Sequence, residues 1–505
     1  MNARDYGYVL ISGLGALWYT PGALAAEPAA DAAVTTPFRS PVTIPSAPSE
    51  DEARADSSPV DATGAFSSDP LRTLAESLSA SPSLGDATRR ILLAEARRGD
   101  YLPAISWALG QSYWGLAQLL IQNNPKPTPD WAKLSLALHR YDGPEMARLL
   151  QHPERLPARD RLQAQMDLGR YGQARKDALA AMETDPYDWR LRREYLQAVR
   201  KSASYVDLAG IWQSFNGLSQ YGPRLRGRLA LGDAWGIELD ADALREATSQ
   251  AAGLQRLPGW SERAALGLYW QAPDWEIQTL VGSYEGMRNH LTLDLKARWQ
   301  MSAGRVLSGT VEYHGRSQQS PALAVAGMAS GIRLQLMQQV GAWTAGLGAG
   351  WRQYRGQDGV DLGSDLFAGA SLLWRHGLGP WELEAGPFVD YHDLNRRGQV
   401  QGLVAQTLIP SARTIDSVLP GSYGDVGLRL QWGQWERAID SNWTPYLALS
   451  VYDNTRFGMQ YQLDAGVSTP VFGPDRLRIG FSQGQGGNGL AISERIFKMA
   501  YRVYF

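Results

Sequence analysis

The sequence predicts a two-part chain, with periplasmic α-helical repeats followed by an antiparallel outer-membrane β-barrel of 14 to 16 strands. Three observations carry this expectation. The apolar period switches from 3.6 to 2 near residue 225. Charges of the second half fall repeatedly on a single face of strands about 10 to 13 residues long. The connections between those strands alternate between tight and long. A soluble β-sandwich would use shorter strands and put its polar face outside.

Composition agrees. The 505 residues carry 49 basic and 51 acidic side chains, so no global field argues for nucleic acid or a strongly charged partner. With no cysteine there is no disulfide framework, thiol nucleophile or Cys-based metal site. The 53 glycines and 18 tryptophans suit a membrane barrel, where Trp marks the interfaces and small residues relieve crowding.

In chain order, residues 1–25 read as a signal peptide: Arg4 precedes an apolar run from Tyr8 to Tyr19, and Ala23-Leu-Ala25 offers a cleavage pattern. An uncleaved anchor is the alternative. Residues 26–69, rich in Ala, Pro, Ser, Thr and Asp without apolar period, read as a disordered linker. Over 70–225, Leu71, Leu74, Leu78 and then Ile91, Leu92, Leu93, Ala96 recur at helical spacing, broken at Pro103, Pro125, Pro153, Pro157 and Pro186. This predicts helices of about 12 to 18 residues. Gly169-Arg-Tyr171-Gly-Gln-Ala174, followed by Ala178, Ala181 and Asp185-Pro186, resembles the second half of a tetratricopeptide repeat. An ordinary all-α domain reads the same way.

Residues 226–505 are assigned to the barrel. Leu291, Leu293, Leu295, Ala297 and Trp299 alternate with Thr292, Asp294, Lys296 and Arg298. The same alternation recurs over 332–336, 343–352, 366–375, 425–432 and 459–467. The chain closes on Phe497, Met499, Tyr501, Val503 and Phe505 against Lys498, Ala500, Arg502 and Tyr504. Tyr501, Val503 and Phe505 then form the expected insertion signal for the barrel-assembly machinery, with Phe505 at the periplasmic side. Working back from it, Phe472–Asp475, His376–Pro380, Gln339–Gly341, Met301–Gly304 and Ala272–Asp274 are tight. Gly484–Ser493, Asp393–Pro420, Arg355–Gly363 and Gly315–Met328 are long, and Gly433–Asn442 breaks the rule. Thirteen strands are counted from about 261, and a fourteenth around Arg228–Asp240 makes the number even. A hairpin within 393–420 would raise it to 16, or that segment folds over or into the pore.

The charged faces become pore-lining candidates: Asp294, Lys296, Arg298, Glu312, Arg333, Arg352, Arg375, Glu382, Glu384, Asp390, Asp425, Arg429, Asp464, Arg478, Lys498 and Arg502. Lipid-facing charge is costly, whereas a wet lumen solvates it. Alternatively, these charges pair with one another and brace the wall. Glu382-Leu-Glu384 places two carboxylates about 7 Å apart on one face, as a glycosidase pair could be, but a solvated pair fits a lumen wall better. His290, His314, His376 and His392 sit in no catalytic motif, so no enzyme, cofactor or metal site is expected.

Leu419-Pro-Gly-Ser-Tyr423, Gly427, Trp443-Thr-Pro445, Asn454, Gly458, Tyr461, Gly466, Phe472-Gly-Pro-Asp475-Arg-Leu477 and the Tyr501-Arg502…Phe505 ending together resemble the PelB family. These are outer-membrane export components of the Pel exopolysaccharide system. Leu168-Gly-Arg-Tyr171 and Ala174 look like the last repeats before that family's barrel. The resemblance implies a 16-stranded pore through which an exopolysaccharide leaves a Gram-negative cell. It also implies tetratricopeptide repeats that guide the polymer and dock a periplasmic deacetylase or hydrolase. Cellulose and poly-N-acetylglucosamine exporters share this plan. Two departures are visible. The helical stretch is short for the family, so a separate scaffold could supply further repeats. The family's polymer is taken to be cationic, yet the inward candidates hold more Arg and Lys than acids. A structural or receptor barrel that only anchors the repeats is the alternative function.

Overall fold

A computed structural model describes residues 69–81, 84–248, 253–302, 304–378, 381–433, 443–485 and 493–505. The expected signal peptide, nearly all of the expected linker, and most of the 433–442 and 484–493 connections lie outside them. The described chain forms two compact units, one up to Leu168 and one from Gly169 to Phe505.

The first unit holds α1 (Pro70–Ser79), α2 (Asp86–Arg97), α3 (Leu102–Gly110), α4 (Trp114–Asn123), α5 (Asp130–Arg140), α6 (Gly143–Leu149) and α7 (Ala158–Asp167). Asp69 starts α1 by accepting from the Leu71 amide at 3.0 Å, and Asp142 starts α6 through the Glu145 amide at 3.1 Å. Each cap is worth about 1 kcal/mol. Leu74, Leu78, Ala104, Ile105, Leu116, Ala117 and Leu120 form one core, and Leu134, Ala137, Met146, Leu149 and Ala164 a second. The helices run 7 to 12 residues, mostly shorter than the spacing suggested. Pro103 explains part of the difference, since it opens α3 rather than breaking a longer helix.

The second unit begins with α8 (Tyr171–Thr184) and α9 (Trp189–Ser202). This pair belongs with the barrel, not with the preceding helices. The strands follow: β1 (Tyr205–Phe215), β2 (Leu218–Ala230), β3 (Trp235–Thr248), β4 (Trp260–Gln271), β5 (Trp275–Glu285), β6 (His290–Ser302), β7 (Arg305–Arg316) and β8 (Gly327–Val340). The other half is β9 (Trp343–Gly356), β10 (Asp361–Leu378), β11 (Trp381–Arg396), β12 (Tyr423–Gly433), β13 (Thr444–Asn454), β14 (Gly458–Pro470), β15 (Arg476–Gln485) and β16 (Ser493–Tyr504). Every strand pairs antiparallel with its sequence neighbours, and β1 closes on β16 from Tyr205↔Tyr504 to Phe215↔Glu494. Closure leaves no edge, as a membrane interior demands.

Sixteen strands are therefore reached differently from the expectation. Strands start at Tyr205, well before 225, and Arg228–Asp240 spans a hairpin turn between β2 and β3. Segment 397–422 contributes no strand; it holds helix α11 (Gly402–Thr407) and two 3₁₀ turns. The signal at β1 is diluted because Ala209 and Ile211 share the inward face with Asp207 and Gln213.

Alternation sets the two faces. Asp365 and Phe367 are buried on β10, while Leu366 between them is 60% exposed. Leu208, Leu266, Val281, Ile332, Leu347, Leu428 and Met499 build the outward apolar band. Trp235 packs near Trp270, and Trp275 stacks on Trp299 at 5.2 Å, marking the rim at the tight-turn end. No described helix is long and apolar enough to cross a membrane. The strands make the crossing, and the protein resides in a Gram-negative outer membrane. Leu266 stands mid-strand on the lipid face, so Leu266→Arg should destabilise the barrel by about 2–4 kcal/mol in a denaturant titration in lipid vesicles.

Candidate functional site

Among the described residues, the inward face combines dense charge with shelter from lipid. On the β1–β7 side the charges are paired. Arg224 donates to Asp240 at 2.8 and 3.1 Å, Arg228 to Glu238 at 2.9 Å, and Arg316 to Glu246 at 3.4 Å. Arg228 also lies 3.6 Å over the Tyr269 ring. Of the expected lining residues here, Asp294 accepts from Arg263, and Arg298 stands 3.7 Å from Glu276. Lys296 lies between those two on the inward face of β6, and Glu312 sits among Arg263, Arg333 and Arg352.

At the tight-turn end, Lys201 of α9 donates to Glu276, and the Gln271 amide side chain donates to the carbonyls of Lys201 and Asp233. The Gly172 amide donates to Asp233 at 2.6 Å. These bonds fasten the α8–α9 pair to the rim of β2–β5. Burial pushes the Lys201 ammonium down, opposed by Glu276.

The β8–β16 side also carries charges of both signs. Arg375 donates to Glu384 at 2.9 Å, and Glu382 is buried beside them. That ion pair ties β10 to β11 on the inward face. Asp390 and Asp425 face each other directly across β11–β12, with Asn454 donating to Asp425 at 2.7 Å. Arg333 lies over Phe367 at 5.2 Å, and Arg429 over Phe388 at 5.6 Å. Arg352 and Tyr354 are inward neighbours on β9, and Asp464 accepts from Gln462 at 3.3 Å. Arg478 and Lys498 occupy inward positions on β15 and β16. Arg502 clamps Asp207 with two bonds of 2.6 and 3.0 Å across the closing seam. The expected candidates thus share one face, and many of them are held by partners there.

Several inward groups lie outside that candidate set: Asp207, Glu238, Asp240, Glu246, Glu276 and Asp365, alongside Arg224, Arg228, Arg263 and Arg316. They restore the acids, so the cationic excess read from the sequence reflects the strands overlooked. Arg224, Arg226 and Arg228 alternating with Leu225, Gly227 and Leu229 would have revealed them.

At the closing strand, Tyr501, Val503 and Phe505 point outward, and Phe505 is 67% exposed. The Phe505 amide donates to the Ser204 carbonyl at 3.0 Å, and the Tyr504 amide to Asp475 at 3.1 Å. The backbone of the terminus is therefore fixed without the Phe505 ring. Phe505→Ala should lower outer-membrane levels severalfold while leaving in vitro refolding unchanged; unaltered levels would remove its role as a signal.

The loop end is plugged. Helix α10 (Pro321–Ala326) lies between β7 and β8, and residues 317–326 are buried throughout. Leu323, Val325, Leu254, Val404, Leu408, Val418 and Leu419 form a single apolar cluster with Phe215 and Leu218 on one wall and Ala329, Tyr354 and Leu362 on the other. In a ring of sixteen strands, β1 and β9 stand opposite each other. The cluster therefore crosses the lumen, and apolar constrictions of this kind stop ions by excluding water.

The family description "PelB, C-terminal beta barrel domain" matches residues 200–504. A solved structure titled "Bacterial polysaccharide outer membrane secretin" aligns at TM-score 0.46 and 9% identity, over 60% of this chain and 99% of that one. Pseudomonas aeruginosa OpdK with vanillate aligns at TM-score 0.31 and 11% identity, over 60% and 99%. Acinetobacter baumannii OccAB1 aligns at TM-score 0.33 and 9% identity, over 60% and 96%. No curated protein matches the chain. The family match begins just before β1, ends at the last residue of β16 and spans well over half of the sequence. The chain belongs to the PelB C-terminal β-barrel family.

Proposed function

We propose that this protein is the outer-membrane pore through which an exopolysaccharide leaves the cell. The observation that carries the reading is a charged inward face running the length of the barrel, closed at its loop end by a separate apolar plug. A barrel that serves only as an anchor has no need of a removable septum across a polar interior. Side chains of the β8–β16 side suit a sugar chain: Phe367, Phe388 and Tyr452 offer ring faces, and Asp390 and Asp425 offer acceptors to hydroxyl groups.

Within this reading, Asp294, Lys296, Arg298, Glu312, Arg333, Arg352, Arg375, Glu382, Glu384, Asp390, Asp425, Arg429, Asp464, Arg478, Lys498 and Arg502 line the path. The helices of 70–168 act as a tetratricopeptide-like adaptor that guides polymer or docks a periplasmic deacetylase or hydrolase. A deletion strain should keep making polymer but lose it from the cell surface. Normal surface polymer in that strain would sink the proposal.

A second reading has one specific observation in its favour. The β1–β7 wall is so thoroughly ion-paired that it braces the barrel, as a structural or receptor protein would require. Conductance separates the two readings.

A further inference from the structure

The β9–β10 turn, residues 357–360, is short and internally tied: the Gly356 amide donates to the Val360 carbonyl at 2.8 Å, and the Gly359 amide to the Gly356 carbonyl at 2.8 Å. Two side chains leave this firm base and reach three other loops. The Gln357 amide group donates to the Val325 carbonyl at 3.0 Å, and its backbone amide donates to the Ala326 carbonyl at 2.8 Å. The Gln357 side-chain oxygen accepts from the Arg288 amide at 2.8 Å. Asp358 accepts from the Leu403 amide at 2.7 Å with one carboxylate oxygen and from its own turn, at Val360, with the other.

The two residues thus engage both layers of the plug. Gln357 holds the last turn of α10, and Asp358 holds the first turn of α11. Glycines make room for the grip. A Cβ on Gly402 would lie 2.1 Å from an Asp358 carboxylate oxygen, and one on Gly356 would lie 2.3 Å from the other. Gly402 also has φ of +67°, a conformation in which any other residue is strained. Gln357 is 4% exposed, so its bonds are sheltered from competing water.

Both layers share an apolar interface as well, since Leu323 and Val325 pack in one cluster with Val404 and Leu408. Apolar contact alone is non-directional and lets layers slide. The α11 layer is also bonded to residues 253–255, through the Gln255 amide to the Thr407 carbonyl at 2.8 Å and the Ile409 amide to the Gly253 carbonyl at 2.9 Å, but the β9–β10 turn is bonded to both layers. Its bonds link the layers, because displacing α11 frees the carboxylate neighbouring the residue that holds α10.

We propose that Gln357 and Asp358 form the latch of the outer gate, fastening both layers of the plug to the β9–β10 turn so that they open as one unit. This rests on the export-pore reading, in which the plug is a gate. A closed plug held by charge-assisted and buried hydrogen bonds should open about tenfold more often, or more, when one of them is removed.

The test is single-channel recording of the full-length protein in planar bilayers, comparing the parent with Asp358→Ala, Asp358→Asn, Gln357→Ala, Gly402→Ala and a variant lacking 397–422. Heat-modifiable migration on gels reports folding of each. The latch predicts rare openings for the parent and frequent ones for Asp358→Ala, Gln357→Ala and Gly402→Ala. Asp358→Asn, which keeps the shape and loses the charge, should fall between and serves if the alanine variant does not fold. Openings of the latch variants as rare as the parent's, while the loop deletion conducts, would overturn the latch and leave the gate standing. A loop deletion that stays silent would instead overturn the gate on which the latch depends.

Discussion

Removing residues 397–422 should turn a nearly silent barrel into one that conducts in bursts, and removing 318–326 as well should make it conduct steadily. The outer layer supplies Val404, Leu408, Val418 and Leu419 to the apolar cluster, and the inner layer supplies Ala322 to Ala326. With the outer layer gone, α10 keeps its bonds to Gln357 but loses its apolar cover, so water enters intermittently. With both gone, the charged inward face becomes a continuous wet path, and conductance should rise about tenfold or more as dewetting ends. A barrel that remains silent without either layer is closed elsewhere, and the α8–α9 pair at the opposite rim would be the place to look.

Asp207→Ala should weaken the barrel by up to about 3–5 kcal/mol, the usual consequence of removing the carboxylate partner of a buried cation. Arg502 is 3% exposed, and its clamp on Asp207 ties β16 to β1 across the seam where the ring closes. Tyr205 adds a ring face 4.2 Å from the Arg502 guanidinium carbon, which does not replace the lost charge. The double variant Asp207→Ala/Arg502→Met removes the buried cation as well and should recover most of the loss. Denaturant midpoints in detergent measure both. Equal midpoints for parent and Asp207→Ala would mean that lumen water, rather than Asp207, satisfies Arg502.

Much of this architecture is readable without coordinates, and the reason is periodicity. From β4 onward, charges such as Arg333, Arg352 and Arg375 stand at every second position against Ile332, Trp351 and Trp374, and an outer-membrane barrel is the fold that puts such charges inside. Loop lengths carry independent information, and 393–420 reads as too long for an ordinary connection. What fails is the start of the barrel. β1 follows directly on α9, so its short alternation is hidden in a helical context. Asn216-Gly217, both with positive φ, forms the hairpin turn between β1 and β2 and is among the strongest local hairpin signals available.

The plug is a different kind of omission. Pro321-Ala-Leu-Ala-Val-Ala326 is visibly apolar, but only three-dimensional closure brings it against Leu254, Val404 and Val418, from loops far apart in sequence. Likewise, Gln357-Asp358-Gly359 looks like any polar turn, and its grip on residues 288, 325, 326 and 403 depends on where three other loops return. The lining residues divide along the same line. Their facing is a local property of each strand, whereas their partners, as in Arg502–Asp207 or Arg263–Asp294, belong to register and closure.

In the export-pore account a polysaccharide passes through this lumen. That passage is tested most directly by recording current through the variant lacking both plug layers while oligosaccharides of the cell's own exopolysaccharide are added on the periplasmic side. The export-pore account predicts discrete current blocks whose duration grows with chain length and falls when Asp390 and Asp425 are replaced by alanine. Steady current with no blocks at any chain length would contradict it and leave a pore for small solutes.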